Sequence, residues 1–114
     1  MPRQTEQRLF ELQAEMAKVL ANSTRLRILN RIGAGEVPYG ALLHDLGVSK
    51  ANLSQHLAIL RKGGVVAVRR DGVHVHYRLT HPEIKDLCSA MRGILAKHLA
   101  EHARQGRLLR RRAV

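Results

Sequence analysis

Apolar residues recur at helical spacing through most of this chain and alternate in one short stretch. Residues 4–20 place Leu9, Leu12, Met16, Val19 and Leu20 on a stripe, with Phe10 and Ala17 at its edge. Glu6, Glu11 and Glu15 lie mostly off it, which suits an amphipathic surface or interface helix. Asn22 or Ser23 then offers a cap, and Leu26, Leu29 and Ile32 pattern a second helix that carries Arg25, Arg27 and Arg31. It stops at Gly33-Ala34-Gly35. Pro38 fits the first turn of a short third helix with Leu42, Leu43 and Leu46 as its apolar positions and Gly47 as a left-handed terminator. Ser49 caps a fourth helix within two residues of that glycine, and Leu53, Leu57 and Leu60 form its buried side before Gly63-Gly64 ends it. Two helices joined by so short a turn make a helix-turn-helix.

The alternating stretch follows at once. Residues 65–70 and 73–79 are β-branched runs around Asp71-Gly72, a dipeptide suited to the two-residue turn of a hairpin. With that turn, Val66, Val68, Val73, Val75, Tyr77 and Leu79 share a packing face, and Ala67, Arg69, His74, His76 and Arg78 share a face for solvent or phosphate. Pro82 opens a last helix whose stripe is Ile84, Leu87, Met91, Ile94, Leu95 and Leu99, with Cys88 and His98 on or beside it. Gly93 inside it costs about 1 kcal/mol against Ala, and close approach of another backbone would compensate. The expected architecture is mainly α with a β-hairpin wing, a winged helix-turn-helix in the order ααααββα.

A wheel with Leu53, Leu57 and Leu60 inward turns Ala51, Gln55 and Lys62 outward, flanked by Lys50, Asn52 and Ser54 near the capped end at Ser49. That end of a recognition helix reaches base edges in the major groove. Gln and Asn pair bidentately with adenine, Ser is permissive, and Lys50 takes guanine or phosphate. His56 lies near the inward edge, where packing and DNA contact are equally open. Arg69, Arg70, His74 and His76 on the wing suit phosphate or minor-groove contacts, which position a protein without specifying sequence.

Charge sharpens this picture. Twenty Lys and Arg against nine Asp and Glu give a net charge of +11, which favours a polyanionic partner through counterion release. A second basic block, Arg104, Arg107, Arg110, Arg111 and Arg112, falls at residues 104–114 and reads as a frayed basic tail, with a DNA-gripping arm as the other option. Residues 1–103 then form a single domain. Within it, residues 4–21 and 82–103 are amphipathic candidate interface helices, through Leu9, Leu12, Met16, Leu87, Met91, Ile94 and Leu95. A chain of 114 residues suits one core, and Phe10, Tyr39 and Tyr77 are its only aromatics. No apolar leader or membrane-length segment is present, so a cytoplasmic protein without membrane contact is the default. No Ser/His/Asp, Cys/His or paired-carboxylate set stands at readable spacing, nor a phosphate-binding glycine loop, so an enzyme is not expected and no cofactor is implied. A winged-helix module for protein or RNA contact is the competing reading to double-stranded DNA.

These motifs resemble the ArsR/SmtB family of bacterial metal-responsive repressors. The likeness begins at Leu20-Ala21-Asn22-Ser23-Thr24-Arg25-Leu26-Arg27-Ile28-Leu29 and continues through Leu46-Gly47-Val48-Ser49 and Leu53-Ser54-Gln55-His56-Leu57. Leu60-Arg61, Gly64-Val65-Val66, Arg69-Arg70-Asp71-Gly72 and Tyr77-Arg78-Leu79 extend it over about half the chain. The resemblance implies a homodimer joined by its first and last helices, an inverted-repeat operator, and repression relieved by an inducer. The family's inducer sites do not carry over. Its C-x-C pair on the third helix falls here on Pro38 and Gly40, neither of which has a ligating side chain. Its D-x-H-x10-H-x2-E set on the last helix falls on His81, Glu83, Ile94 and Lys97, of which two are no ligands. Sulfur-sensing relatives use two cysteines, and Cys88 is alone. No metal site is therefore expected and any inducer is unknown. His98 and His102, at chelating i, i+4 spacing beside Glu101, are a weak metal candidate that reads first as a wet helix face. Cys88 is a weak redox candidate that reads first as a small buried hydrophobe.

Overall fold

The computed structural model describes residues 3–112. Its elements run α1 (Arg3–Leu20), α2 (Ser23–Ile32), β1 (Glu36–Pro38), α3 (Tyr39–Leu46), α4 (Lys50–Lys62), β2 (Val66–Asp71), β3 (His74–Leu79) and α5 (Glu83–Arg112). The helix starts follow side-chain caps. Asn22 Oδ1 accepts from the Arg25 amide at 3.1 Å and Ser49 Oγ from the Asn52 amide at 3.1 Å, each satisfying a donor that a helix start leaves without a partner. Gly47, at φ 65° and ψ 27°, ends α3 in the left-handed conformation and lets α4 begin three residues later.

One core fills the space between α2, α3, α4 and the sheet. Ile28, Leu29, Leu42, Leu53, Leu57, Leu60 and Val65 are fully buried, and among the described residues no polar or charged one is buried with them. Polar ties at the rim fix the relative pose of the small helices. Arg31 Nε donates to Asp45 Oδ2 at 2.5 Å, and Arg27 Nη2 donates to the Leu46 carbonyl at 2.7 Å, occupying an acceptor at the end of α3.

The sheet departs from the sequence expectation in two ways. It has three antiparallel strands in the order β1-β3-β2, with Glu36, Val37 and Pro38 facing Arg78, Tyr77 and His76. Pro38 therefore closes a short edge strand before it caps α3, rather than sitting in the helix's first turn; an edge tolerates its missing N–H. The hairpin turn is also one residue later than Asp71-Gly72. Asp71 pairs with His74, so Gly72 and Val73 form the loop, with Gly72 at φ 60°. A glycine with positive φ at the first loop position matches a type II′ turn, which needs no positive φ at the second. Val73 consequently leaves the packing face expected for it and stands 91% exposed.

The two outer helices project from this core. Among their described residues, only Leu20 of α1 and Ile84 and Cys88 of α5 are buried. The radius of gyration is 18.7 Å, against about 13 Å for a compact chain of some 100 residues. The basic segment expected to fray after residue 103 instead continues α5 to Arg112, making a helix of 30 residues, about 45 Å long. Residues 1, 2, 113 and 114 of the expected domain and tail lie outside the described residues. A Cβ placed on Gly93 would meet nothing within 4 Å, so among the described residues no other backbone approaches it within the chain.

Candidate nucleic-acid interface

The recognition helix keeps the orientation its apolar spacing dictates. Leu53, Leu57 and Leu60 are inside, while Lys50, Ala51, Ser54, Gln55, Ala58, Arg61 and Lys62 are exposed. Asn52 and His56 are half-buried, one turn apart on the same edge. Two of the expected readers are already engaged. Ser54 Oγ lies 3.0 Å from the Tyr39 hydroxyl, which also reaches the Lys50 carbonyl at 3.4 Å. His56 Nδ1 lies 3.3 Å from Arg25 Nη1. Gln55 and Ala51 remain on the outward side with Lys50 and Lys62.

Strand β1 changes the electrostatics of the wing. Glu36 comes to the same face as Arg69 and His76, and Oε1 accepts from Arg69 Nε at 2.9 Å and Nη2 at 2.7 Å. His76 Nδ1 stands 4.0 Å from the same oxygen, and Asp71 lies 3.9 Å from Arg69. The Arg69 hydrogen bonds hold the Glu36 carboxyl below the usual carboxylate range and push the guanidinium up, against a smaller opposing effect of desolvation. Two of the four expected wing residues, Arg69 and His76, thus converge on an acid within the protein. His74 is exposed beside the turn.

Arg70 belongs to the opposite face of the hairpin, with Val68, Val75 and Tyr77. It lines a groove with Tyr39, Gly40, Val75 and Tyr77. That groove adjoins another between α4 and β3, lined by Ser54, Ala58, Arg61, Lys62 and Tyr77. Burial pushes the Tyr77 hydroxyl up, with Arg70 and Arg61 pulling the other way. Lys50, Arg61, Lys62 and Arg70 form no ion pair among the described residues. The structure therefore gathers a cationic groove with two tyrosines beside the outward side of α4. Sequence reasoning missed Tyr39, Tyr77 and Arg61 as its lining, and missed Glu36 as the counterion. The proline-tyrosine step at the start of α3 was the available signal for Tyr39.

The weak candidates on α5 separate. Cys88 is a free thiol, 3% exposed, and burial pushes its pKa up. His98 and His102 stand edge to face with ring centroids 4.3 Å apart, both exposed. Among the described residues, no three His, Cys, Asp or Glu side chains gather as a metal set. Leu9, Leu12 and Met16 on α1, and Leu87, Met91, Ile94 and Leu95 on α5, are all exposed apolar residues.

A helix fed by a short turn and flanked by a wing defines the winged helix-turn-helix class. The helix-turn-helix domain family matches residues 20–69. The HTH-type transcriptional regulator Rv0081 of Mycobacterium tuberculosis is 42% identical over 94 residues, which cover 82% of each chain. Its crystal structure superposes with a TM-score of 0.75 at 41% identity, covering 83% of this chain and 96% of that one. The homodimeric winged helix-turn-helix DNA-binding domain of Mb0332 from Mycobacterium bovis, a possible ArsR-family regulator, gives a TM-score of 0.75 at 30% identity, covering 85% of this chain and 90% of that one. The transcriptional repressor BigR from Xylella fastidiosa gives 0.71 at 31% identity, covering 82% and 96%. This chain belongs to the ArsR-type family of winged helix-turn-helix transcriptional regulators. Among the described residues, no helix is long and apolar enough to cross a membrane.

Proposed function

We propose that this protein is a homodimeric transcriptional repressor that reads an inverted-repeat operator in double-stranded DNA. The observation that carries this is the outward side of α4, with Gln55 and the edge residue Asn52, lying next to the cationic groove of Arg61, Lys62 and Arg70. Gln55, Asn52 and Ala51 would read bases from the capped end of the helix, and Lys50, Lys62, Arg61 and Arg70 would hold phosphates. His74 at the wing tip joins the phosphate set. Arg69 and His76 join it only by leaving Glu36.

The second copy is supported by the exposed apolar stripes of α1 and α5, by the extended shape of the single chain, and by the homodimeric state of the Mb0332 domain. Leu9, Leu12, Met16, Leu87, Met91, Ile94 and Leu95 would form that interface. Paired recognition helices then meet successive major grooves about 34 Å apart. The proposal is a binding function in the cytoplasm, not a catalytic one, and it names no inducer.

Selection of bound duplexes from a random pool tests it. An inverted repeat with half-sites about one helical turn apart is expected, with binding that falls on a log–log salt slope of about −0.9 per neutralised phosphate. Recovery of no common sequence would instead favour a module for protein or RNA contact.

A further inference from the structure

Arg25 stands in the first turn of α2, yet its side chain serves two other helices. Its Nε donates to the Val19 carbonyl at 2.6 Å and its Nη2 to the Lys18 carbonyl at 3.3 Å. Both acceptors belong to the last turn of α1, where carbonyls lack partners within the helix. Its Nη1 faces Nδ1 of His56, halfway along α4, at 3.3 Å. A guanidinium has no acceptor and keeps its protons, so His56 must accept through Nδ1 and carry its own proton on Nε2. One cation therefore ties the end of α1 and the start of α2 to the middle of the recognition helix.

A second joint lies about two turns further on, at the C-cap of α4. The methyl groups of Val19 fill the space in front of Gly63, so close that a Cβ there would stand 2.8 and 2.9 Å from them. With α4 held at His56 and at Gly63, it cannot rotate about its axis or slide without moving the end of α1. The same α1 exposes Leu9, Leu12 and Met16 on the face assigned above to the second copy.

We propose that Arg25 is a positioning residue that transmits the seating of α1 in the dimer to the pose of α4, and that His56 is its receptor rather than a reader of bases. The inference rests on the proposed function for its biological meaning, but the joint is measurable in the free protein. The informative set is Arg25→Ala, His56→Leu, the two combined, and His56→Gln, whose amide oxygen can accept from the guanidinium. In the full-length dimer, each of the first two weakens operator binding about tenfold, the scale of one charged hydrogen bond. The double variant is no weaker than the weaker single, because both remove one interaction. His56→Gln recovers most of the loss, and dimer mass and random-duplex affinity stay as in the parent.

Free-dimer NMR supplies the independent readout. The His56 ring nitrogens are expected to show an unprotonated Nδ1, and α4 amides are expected to exchange about tenfold faster in Arg25→Ala. Operator losses that multiply in the double variant would overturn the proposal. So would parent-like operator affinity and α4 exchange in either single variant. Should Arg25→Ala fail to fold, His56→Leu against His56→Gln decides by the same two measurements. If the parent selects no operator at all, the proposed function fails, while ring tautomer and α4 exchange still decide the joint.

Discussion

Arg69 places both Nε and Nη2 on a single oxygen of Glu36, at 2.9 and 2.7 Å, across the three-stranded sheet. An arginine on a wing would ordinarily be assigned to a phosphate, and here it already has an anion. DNA and Glu36 compete for it. Replacing Glu36 with Gln removes the competitor and a negative charge from the wing, so random-duplex affinity should rise severalfold. The salt slope should steepen by about 0.9 if Arg69 then neutralises one more phosphate. Titration of duplex at several salt concentrations measures both; an unchanged slope would show that Arg69 stays off the DNA.

The same pair gives a pH dependence of known sign. The folded-state pKa of Glu36 is lowered, chiefly by the Arg69 hydrogen bonds. Its contribution to stability is therefore complete above the ordinary glutamate range and is lost as the pH falls through the lowered folded value. Thermal melts of the parent and Glu36→Gln should differ most near neutrality and converge on acidification. The pair is solvent-exposed, so the difference at neutrality should be small.

Gly63 and Val19 make a steric prediction. A Cβ at Gly63 meets two methyl carbons inside 3.0 Å, which requires the end of α1 to shift. Gly63→Ala should cost about 1–3 kcal/mol, the usual range for forcing extra volume into a packed contact. Val19→Ala in the same chain should recover part of that cost, since it vacates the space. Urea unfolding of the two singles and the double checks this, and equal additive losses would place the strain elsewhere.

The five helices were legible because their caps and apolar periods agree: Asn22 and Ser49 start α2 and α4, Gly47 stops α3, and leucines repeat between them. What escaped the sequence was non-local. Strand β1 is three residues long and includes a proline, so no period can announce it; only its pairing with β3 makes it a strand. The hairpin turn slipped by one because Asp71-Gly72 and Gly72-Val73 both put glycine in the loop, and the register Val66 to Leu79 at the buried base decides between them. The C-terminal arginines suggested fraying by charge, although Arg and Leu are good helix formers and Gly106 is the sole weak point between Gly93 and Arg112. In the candidate site, Gln55 and Lys62 followed from the wheel alone. The engagement of Arg69 by Glu36, of Ser54 by Tyr39 and of His56 by Arg25 was not legible there, since each pair joins different elements.

Base reading and phosphate holding should separate by mutation. Gln55→Ala should lose about 1–3 kcal/mol of discrimination at one base step while leaving random-duplex affinity nearly intact. Arg70→Ala, in the groove beside Tyr39 and Tyr77, should weaken all duplexes alike and flatten the salt slope by about 0.9. Binding isotherms on the selected operator and its single-base variants check the contrast. Equal losses on operator and random DNA for Gln55→Ala would remove α4 from the reading role.

Cys88 should behave as an inert thiol. It is 3% exposed, and burial raises its pKa, so little thiolate is present near neutrality. Alkylation of the native protein should run at least tenfold slower than alkylation of the urea-unfolded chain, and mild peroxide should leave operator affinity unchanged. Cys88 and Ile84, on the first turns of α5, are buried in the shared core, while Leu87 and Met91 on the same helix stay exposed in the single chain. A charge on that exposed part tests the interface without touching the core. At the proposed interface Met91→Glu would bury a charge in each copy, which should weaken the dimer by roughly a hundredfold or more. Light scattering across a dilution series should then report monomer where the parent is dimeric. Operator affinity should fall with it, because each half-site would have to be bound alone. The melt should fall with the dimer and lose its dependence on protein concentration, since a bound partner copy stabilises only the folded chain. A dimer that survives Met91→Glu and a matching Leu12→Glu would mean that the second copy sits on another face.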